Sequence, residues 1–304
     1  MLFYFSIIFG IILLSFGGDF LVRGSSGLAR KLKISPMIIG IVIIGFGTSV
    51  PEIFVASNAV INNASDIALG SIVGSNIANI LLVFSFALII SKDSILKVIS
   101  IGDMLVMQVV TLLLSVLLII GSIEMPISFI MILFLPTYFY FSYSFFNKNI
   151  DIDVVNTEDN YLKLSITILV GFSLLFIGSD IFIKGLKDFA EYYNIPESVL
   201  GLTLAAIGTS LPELAVTFAS VKNKAERVLL GNILGSNIIN VLGALGISSL
   251  FGAITVPENF SFLSLYYLIF SAFWLYLLTK IQIKKIYLGL FGLVLYLIYV
   301  ISLY

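Results

Sequence analysis

The sequence contains no cysteine and no histidine among its 304 residues, and only 11% of them are charged. Without thiols or imidazoles there is no disulfide frame, no thiolate or imidazole metal site, and no Cys or His nucleophile or general base. Any metal chemistry therefore belongs to oxygen ligands. Charge is also too scarce for a water-soluble surface: 60% of residues are hydrophobic and the mean hydropathy is +1.14, so polar groups cannot cover a globule of this size. The balance of 16 Lys and Arg against 17 Asp and Glu leaves no basic field, which excludes nucleic acid as a partner. What remains is an integral membrane protein whose surroundings are the lipid bilayer. The apolar N-terminal run has no Lys or Arg ahead of it and no A-x-A cleavage site, so it reads as a first membrane helix and not as a removable signal.

Apolar stretches able to cross about 30 Å of hydrocarbon at about 1.5 Å per residue fall near 2–22, 36–60, 67–90, 99–121, 126–146, 162–183, 198–221, 227–251, 261–279 and 286–304. The expectation is an all-α protein of ten transmembrane helices. The only sizeable polar connection, 147–160, divides it into residues 1–146 and 161–304. With ten spans, 14 of the 16 Lys and Arg fall in the odd-numbered loops. Cytoplasmic loops retain basic residues, so the expected setting is the cell membrane, multi-pass, with both termini extracellular and the 147–160 loop cytoplasmic.

An internal repeat dominates the pattern. Gly47-Thr48-Ser49-Val50-Pro51-Glu52 recurs as Gly208-Thr209-Ser210-Leu211-Pro212-Glu213, and Gly70 to Asn79 recurs as Gly231 to Asn240, both 161 residues on. The same offset carries Asp19 onto Asp180 and Gly40 onto Gly201. Each copy holds five expected spans, an odd number, so the second copy should enter the membrane the other way up. Two inverted five-helix repeats are an architecture of secondary transporters, with the site near the midplane where the copies meet.

Glu52 and Glu213 lie inside apolar spans that carry no Lys or Arg, where an ionised carboxylate costs at least about 2.5 kcal/mol. Protonation or a bound cation is needed to offset that charge. Residues four apart share a helix face, so Thr48 with Glu52, Thr209 with Glu213, Ser75 with Asn79 and Ser236 with Asn240 each stack two oxygen-bearing side chains. Pro51 and Pro212 should free backbone carbonyls near Gly47 and Gly208. Six to eight oxygens with two carboxylates describe Ca²⁺ better than Mg²⁺. Gly70-x-x-x-Gly74 and Gly231-x-x-x-Gly235 read as close helix packing.

The paired G-T-S-x-P-E and G-S-N motifs resemble the alpha-1 and alpha-2 repeats of the cation/Ca²⁺ antiporter family, closest to its sodium/calcium exchanger branch; here they span 40–81 and 201–242. The resemblance implies ten helices, Ca²⁺ held between the two glutamates, Na⁺ sites built from the same helices, and alternating access by sliding of the first and sixth helices. It implies ion-binding roles for Thr48, Ser49, Glu52, Ser75, Asn79, Ala206 (through its carbonyl), Thr209, Ser210, Glu213 and Ser236; Gly45 and Asn240 complete the candidate set. No cofactor is expected beside the transported Ca²⁺ and Na⁺, and one chain should suffice for function. Many exchangers have Asp where this chain has Asn240, which puts K⁺ co-transport in doubt. The expected function is Na⁺-driven Ca²⁺ antiport. The alternative is a H⁺-coupled Ca²⁺ or divalent-cation antiporter, with a passive channel a distant third.

Other acids carry weaker signals. Asp151-Ile152-Asp153 opens like a Ca²⁺ loop but lacks the Gly and Glu that such a loop needs. Asp103 suggests an intramembrane aspartyl protease, without a second helix-centre Asp to pair with it. Asp19 and Asp180 match across the repeat but read as residues near helix ends, engaged in capping or pairing.

Overall fold

The computed structural model describes residues 2–91, 95–99, 101–146, 160–193, 208–257, 260, 262–281 and 283–303. Within them the regular structure is helical apart from two residue pairs, Ser122–Ile123 and Ile254–Thr255, joined antiparallel. Seven helices are long and apolar enough to cross a membrane, or eight if one bent pair counts as a span. They are α1 (Leu2–Leu32), the bent pair α2 (Pro36–Thr48) and α3 (Val50–Ile61), α4 (Ser65–Ile90), α5 (Ile101–Ile120), α6 (Met125–Phe146), α7 (Tyr161–Tyr192), α9 (Glu226–Ser248) and α11 (Lys285–Ser302). Two shorter α-helices, α8 (Leu211–Lys222) and α10 (Phe262–Leu278), and one 3-10 turn, Ile95–Val98, complete the described set.

Their outer faces are apolar. Ile119 on α5, Leu133 on α6, Leu169 on α7 and Ile301 on α11 are among many large aliphatic residues exposed there, a continuous surface that suits lipid and not water. The centre is made by α4 and α9, and residues 228–246 of α9 are all buried. The two helices that carry Ser75, Asn79, Ser236 and Asn240 are thus the ones furthest from lipid.

Helix boundaries repeat along with the sequence. Val50–Ile61 and Leu211–Lys222, Ser65–Ala78 and Glu226–Ile239, and the π-helical segments Asn79–Phe84 and Asn240–Leu245 each stand 161 residues apart. Even the left-handed residues Asn63 and Lys224, with φ of 56° and 54°, correspond.

α1 and α7 lie antiparallel along a glycine seam. A Cβ on Gly10 would meet Gly178 O at 2.9 Å, one on Gly17 would meet Gly171 O at 2.9 Å, and one on Gly24 would meet Ile168 Cγ1 at 2.9 Å. Gly10, Gly17 and Gly24 correspond to Gly171, Gly178 and Gly185 across the repeat. Small residues at this spacing let helix backbones touch. The motif singled out in the sequence behaves the same way in its second copy, where a Cβ on Gly231 would lie 2.2 Å from Met37 O. A Cβ on Gly70 or Gly74 would meet no other described segment within 4 Å; the segment the repeat would set against them, 198–202, is outside the described residues.

Several boundary expectations are corrected. α1 runs ten residues past the expected end at 22, through Arg23 and Arg30, and α7 runs nine past 183. Helix hydrogen bonds continue where apolarity stops, and long basic side chains near a span end can reach polar surroundings. Asp19 therefore sits inside α1, buried, instead of near its end. The expected span 36–60 is two helices meeting at 41° with Ser49 between them. The 147–160 connection, except Asn160, lies outside the described residues.

Candidate functional site

Pro51 and Pro212 explain the local geometry around the glutamates. Proline is tolerated in a helix's first turn, where its missing N–H would have no partner anyway. It occupies that position in α3 and in α8. The helix is interrupted at Ser49, α8 starts after Ser210, and Glu52 and Glu213 stand in the first turns of α3 and α8. The positive end of the helix dipole there favours a negative charge by about 0.3–2 kcal/mol. The sequence pointed only to freed carbonyls at these prolines. Of those, Gly208 O accepts the Ser179 hydroxyl at 3.3 Å. The candidate carbonyl Gly45 O accepts from Ser49 N at 3.1 Å and from the Thr48 and Ser236 hydroxyls at 3.4 and 3.5 Å.

Gly45, Thr48, Ser49, Glu52, Ser75, Asn79, Ser210, Glu213, Ser236 and Asn240 are all buried, and Thr209 is half-buried. Ala206 lies outside the described residues. The expected stacking of Thr48 on Glu52 is not the contact made. Ser75 Oγ donates to Glu52 Oε1 at 3.1 Å, while Thr48 Oγ1 donates to Asn232 Oδ1 at 3.1 Å. Two hydroxyl pairs related by the repeat join the halves: Thr48 with Ser236 at 3.2 Å and Ser75 with Thr209 at 3.1 Å. Ser75 thus links Glu52 to Thr209, one turn before Glu213.

Asn76, Asn232 and Asn237 went unselected in the sequence. Asn76 Nδ2 donates to Asn237 O at 3.3 Å, and Asn240 Nδ2 donates to Asn76 Oδ1 at 3.1 Å. Asn76 and Asn237 are equivalent residues of the two copies, so their identity across the repeat was the available signal.

The oxygens left over define what the site can do. Glu52 Oε2, both Glu213 oxygens, Asn79 Oδ1, Asn240 Oδ1 and the hydroxyls of Ser49 and Ser210 are buried without a hydrogen-bond partner among the described residues. Each such group is costly unless something answers it. No cluster of three or more His, Cys, Asp or Glu occurs among the described residues, so two carboxylates are the charge available. That donor set suits a hard cation.

A cleft of about 530 Å³, lined by Pro51, Phe54, Val55, Asp180, Thr209 and Pro212 among others, reaches this region. A larger cleft of about 640 Å³ is lined by Arg23, Arg30, Lys224 and Arg227 against one acid, Glu226; its excess of basic groups disfavours cations, and none of the candidate ion ligands lines it. Asp103 is buried on α5 and accepts from Tyr138 and Ser142 hydroxyls, both at 3.1 Å, as a structural acid does.

The family model described as sodium/calcium exchanger protein matches residues 2–144 and 163–304. An uncharacterized membrane protein of Methanocaldococcus jannaschii is 33% identical over 296 residues, covering 97% of this chain and 95% of its own length. The sodium/calcium exchanger MaX1 of Methanosarcina acetivorans is 29% identical, covering 83% of this chain and 84% of its own. A solved structure of the sodium-calcium exchanger NCX_Mj, soaked without Na⁺ or Ca²⁺, matches 100% of this chain and 99% of its own with a TM-score of 0.84 at 30% identity.

Proposed function

Because the chain belongs to the sodium/calcium exchanger family, whose members are transporters and not enzymes, we propose that it is a secondary antiporter that exchanges Na⁺ for Ca²⁺ by alternating access. The observation that carries this reading is the set of buried, unanswered oxygens around Glu52 and Glu213. Ca²⁺ takes six to eight oxygens, and two ionised glutamates balance its charge. Thr48, Ser49, Ser75, Asn79, Thr209, Ser210, Ser236, Asn240 and the Gly45 and Ala206 carbonyls are the further ligands for Ca²⁺ and Na⁺. Na⁺ competes for the same oxygens, so occupancy by one ion displaces the other. Both glutamates come from one chain, so a monomer suffices.

The fold is read as ten spans in two inverted repeats, supported by helix boundaries that recur at one fixed offset and by the antiparallel pairing of α1 with α7. Ions reach the site through the cleft beside Asp180 and Thr209. The basic residues argue for both termini outside and 147–160 in the cytoplasm. In this cysteine-free chain, Asn63→Cys should react with an impermeant thiol reagent only from outside, and Asn160→Cys only from the cytoplasmic side; the reverse labelling would overturn the orientation.

The coupling ion is tested by ⁴⁵Ca²⁺ uptake into proteoliposomes with outward Na⁺, K⁺ or H⁺ gradients imposed one at a time. Uptake should follow the Na⁺ gradient alone. Uptake driven by the H⁺ gradient instead would replace this reading with proton-coupled antiport.

A further inference from the structure

The two sides of the ion site are in different states. On one side, Asp19 of α1 accepts Asn223 Nδ2 at 2.7 Å. Arg23, one turn on, holds the same carboxylate at 2.9 Å and donates from Nε to Asn223 Oδ1 at 3.3 Å. Lys222 stands 4.0 Å from it. Asn223 is the residue that ends α8, so this cluster staples α1 to α8. The packing beside it is tight, since a Cβ on Gly18 would lie 2.6 Å from Ala215 O.

Moved by 161 residues, the three principal members of the staple recur as Asp180, Lys184 and Asn62. Asn62 ends α3 as Asn223 ends α8. The Asp180–Lys184 pair is intact at 2.7 Å. The third contact is not made: Asn62 Nδ2 donates to Asn58 O and Oδ1 at 2.7 and 2.9 Å, whereas Asn223 Nδ2 is shared between Ala219 O at 2.8 Å and Asp19. The Asp180 side chain is 61% exposed where that of Asp19 is 11% exposed. α1 packs along α8, whereas α7 makes no comparable packing against α3. Phe54, the counterpart of Ala215, is 70% exposed in the cleft instead.

We propose that Asp180, Lys184 and Asn62 are the second of two alternating latches. In the opposite state α7 packs onto α3, Asn62 keeps the Asn58 carbonyl but exchanges Asn58 Oδ1 for Asp180, and the cleft closes. Asp19 then releases Asn223, and the α1–α8 side opens. A charge-assisted hydrogen bond made in one state only is enough to bias such an equilibrium. The proposal rests on the exchange reading above, because a transporter that visits both states needs both sides to close in turn.

The absence of native cysteine makes the test direct. Asp19→Cys/Asn223→Cys and Asn62→Cys/Asp180→Cys chains are reconstituted and oxidised with copper phenanthroline, with loss of free thiols read by mass spectrometry. Both pairs should cross-link during turnover, and each bridge should stop ⁴⁵Ca²⁺ flux until a reductant is added. Failure of the Asn62→Cys/Asp180→Cys pair to bridge while flux proceeds would overturn the proposal.

A second measurement needs neither disulfide nor transport. With Val55→Cys as a reporter in the cleft, Asn62→Ala should raise the rate of labelling by an impermeant maleimide, and Asn223→Ala should lower it. The shifts should be about tenfold, in opposite directions. Unchanged rates, or changes in the same direction, would also overturn it. Opposite shifts in a protein whose flux follows H⁺ would leave the latches standing and remove the Na⁺ reading.

Discussion

Two regions of this molecule bury carboxylates almost completely and treat them in opposite ways. On α5, Asp103 receives hydroxyls from Tyr138 and Ser142 on the neighbouring helix α6. At the centre, Glu213 receives no hydrogen bond from the described residues and Glu52 receives one, on one oxygen. Both arrangements sit among apolar helices where an unanswered charge is costly. The difference separates a carboxylate that ties helices together from a pair available to something that comes and goes. Burial alone would have ranked the three acids equally.

The strongest way to break that contrast is to neutralise the centre. Glu52→Gln or Glu213→Gln keeps an oxygen but removes half of the charge that balances Ca²⁺, so transport should fall at least a hundredfold while the protein still purifies as a folded species. Undiminished ⁴⁵Ca²⁺ flux in either variant would show that the two acids do not share an ion.

The next test moves away from the oxygens to the seam. In Gly17→Leu, the new Cβ would meet Leu175 N at 2.8 Å and Gly171 O at 2.9 Å. Backbone cannot yield as a side chain can, and overpacking of this kind costs about 1–3 kcal/mol or more. Flux should fall about tenfold while equilibrium Ca²⁺ binding by the solubilised protein is retained. Loss of both together would mean that the seam shapes the site itself.

A subtler change sharpens the centre. Asn240→Asp adds a third carboxylate to the proposed ligand set, where a proton can compete with the ions. The pH profile of Na⁺-driven Ca²⁺ uptake should become more acid-sensitive than that of the unmodified chain. Superimposable profiles would mean that position 240 does not face the ions.

The smallest effect on transport belongs to Asp103→Asn. Its hydroxyl partners keep an acceptor but lose the charge, which should lower stability by about 1–2 kcal/mol. Thermal unfolding should shift downward while flux per folded molecule stays within twofold.

These contrasts were unevenly legible in the sequence. The repeat exposed Glu52, Glu213, Ser75, Asn79, Ser236 and Asn240, because a polar side chain in an apolar span is costly and packing alone would not place one at both matched positions. It could equally have exposed Asn76 and Asn237, which match, but the Asn76 side chain bonds Asn237 O and Asn240 across the two copies and not a neighbour along its own helix. The break at Ser49 and the place of Pro51 at a helix start were hidden, since a proline in an apolar run is consistent with a kink as well as with a new helix. The glycine seam was invisible for a different reason. Gly10 and Gly17 acquire meaning only beside Gly178 and Gly171, and nothing local in α1 names α7 as its partner. The ends of α1 and α7 were misjudged because hydropathy reports where lipid stops, whereas helices stop where their hydrogen bonding does.

The central claim is that one ion is held jointly by the two halves, and equilibrium ⁴⁵Ca²⁺ binding to the purified protein tests it most directly. The account predicts one Ca²⁺ per chain, with high-affinity binding lost entirely in Glu52→Gln and equally in Glu213→Gln. Two Ca²⁺ per chain, falling to one in each single variant, would contradict it, because each half would then hold an ion of its own.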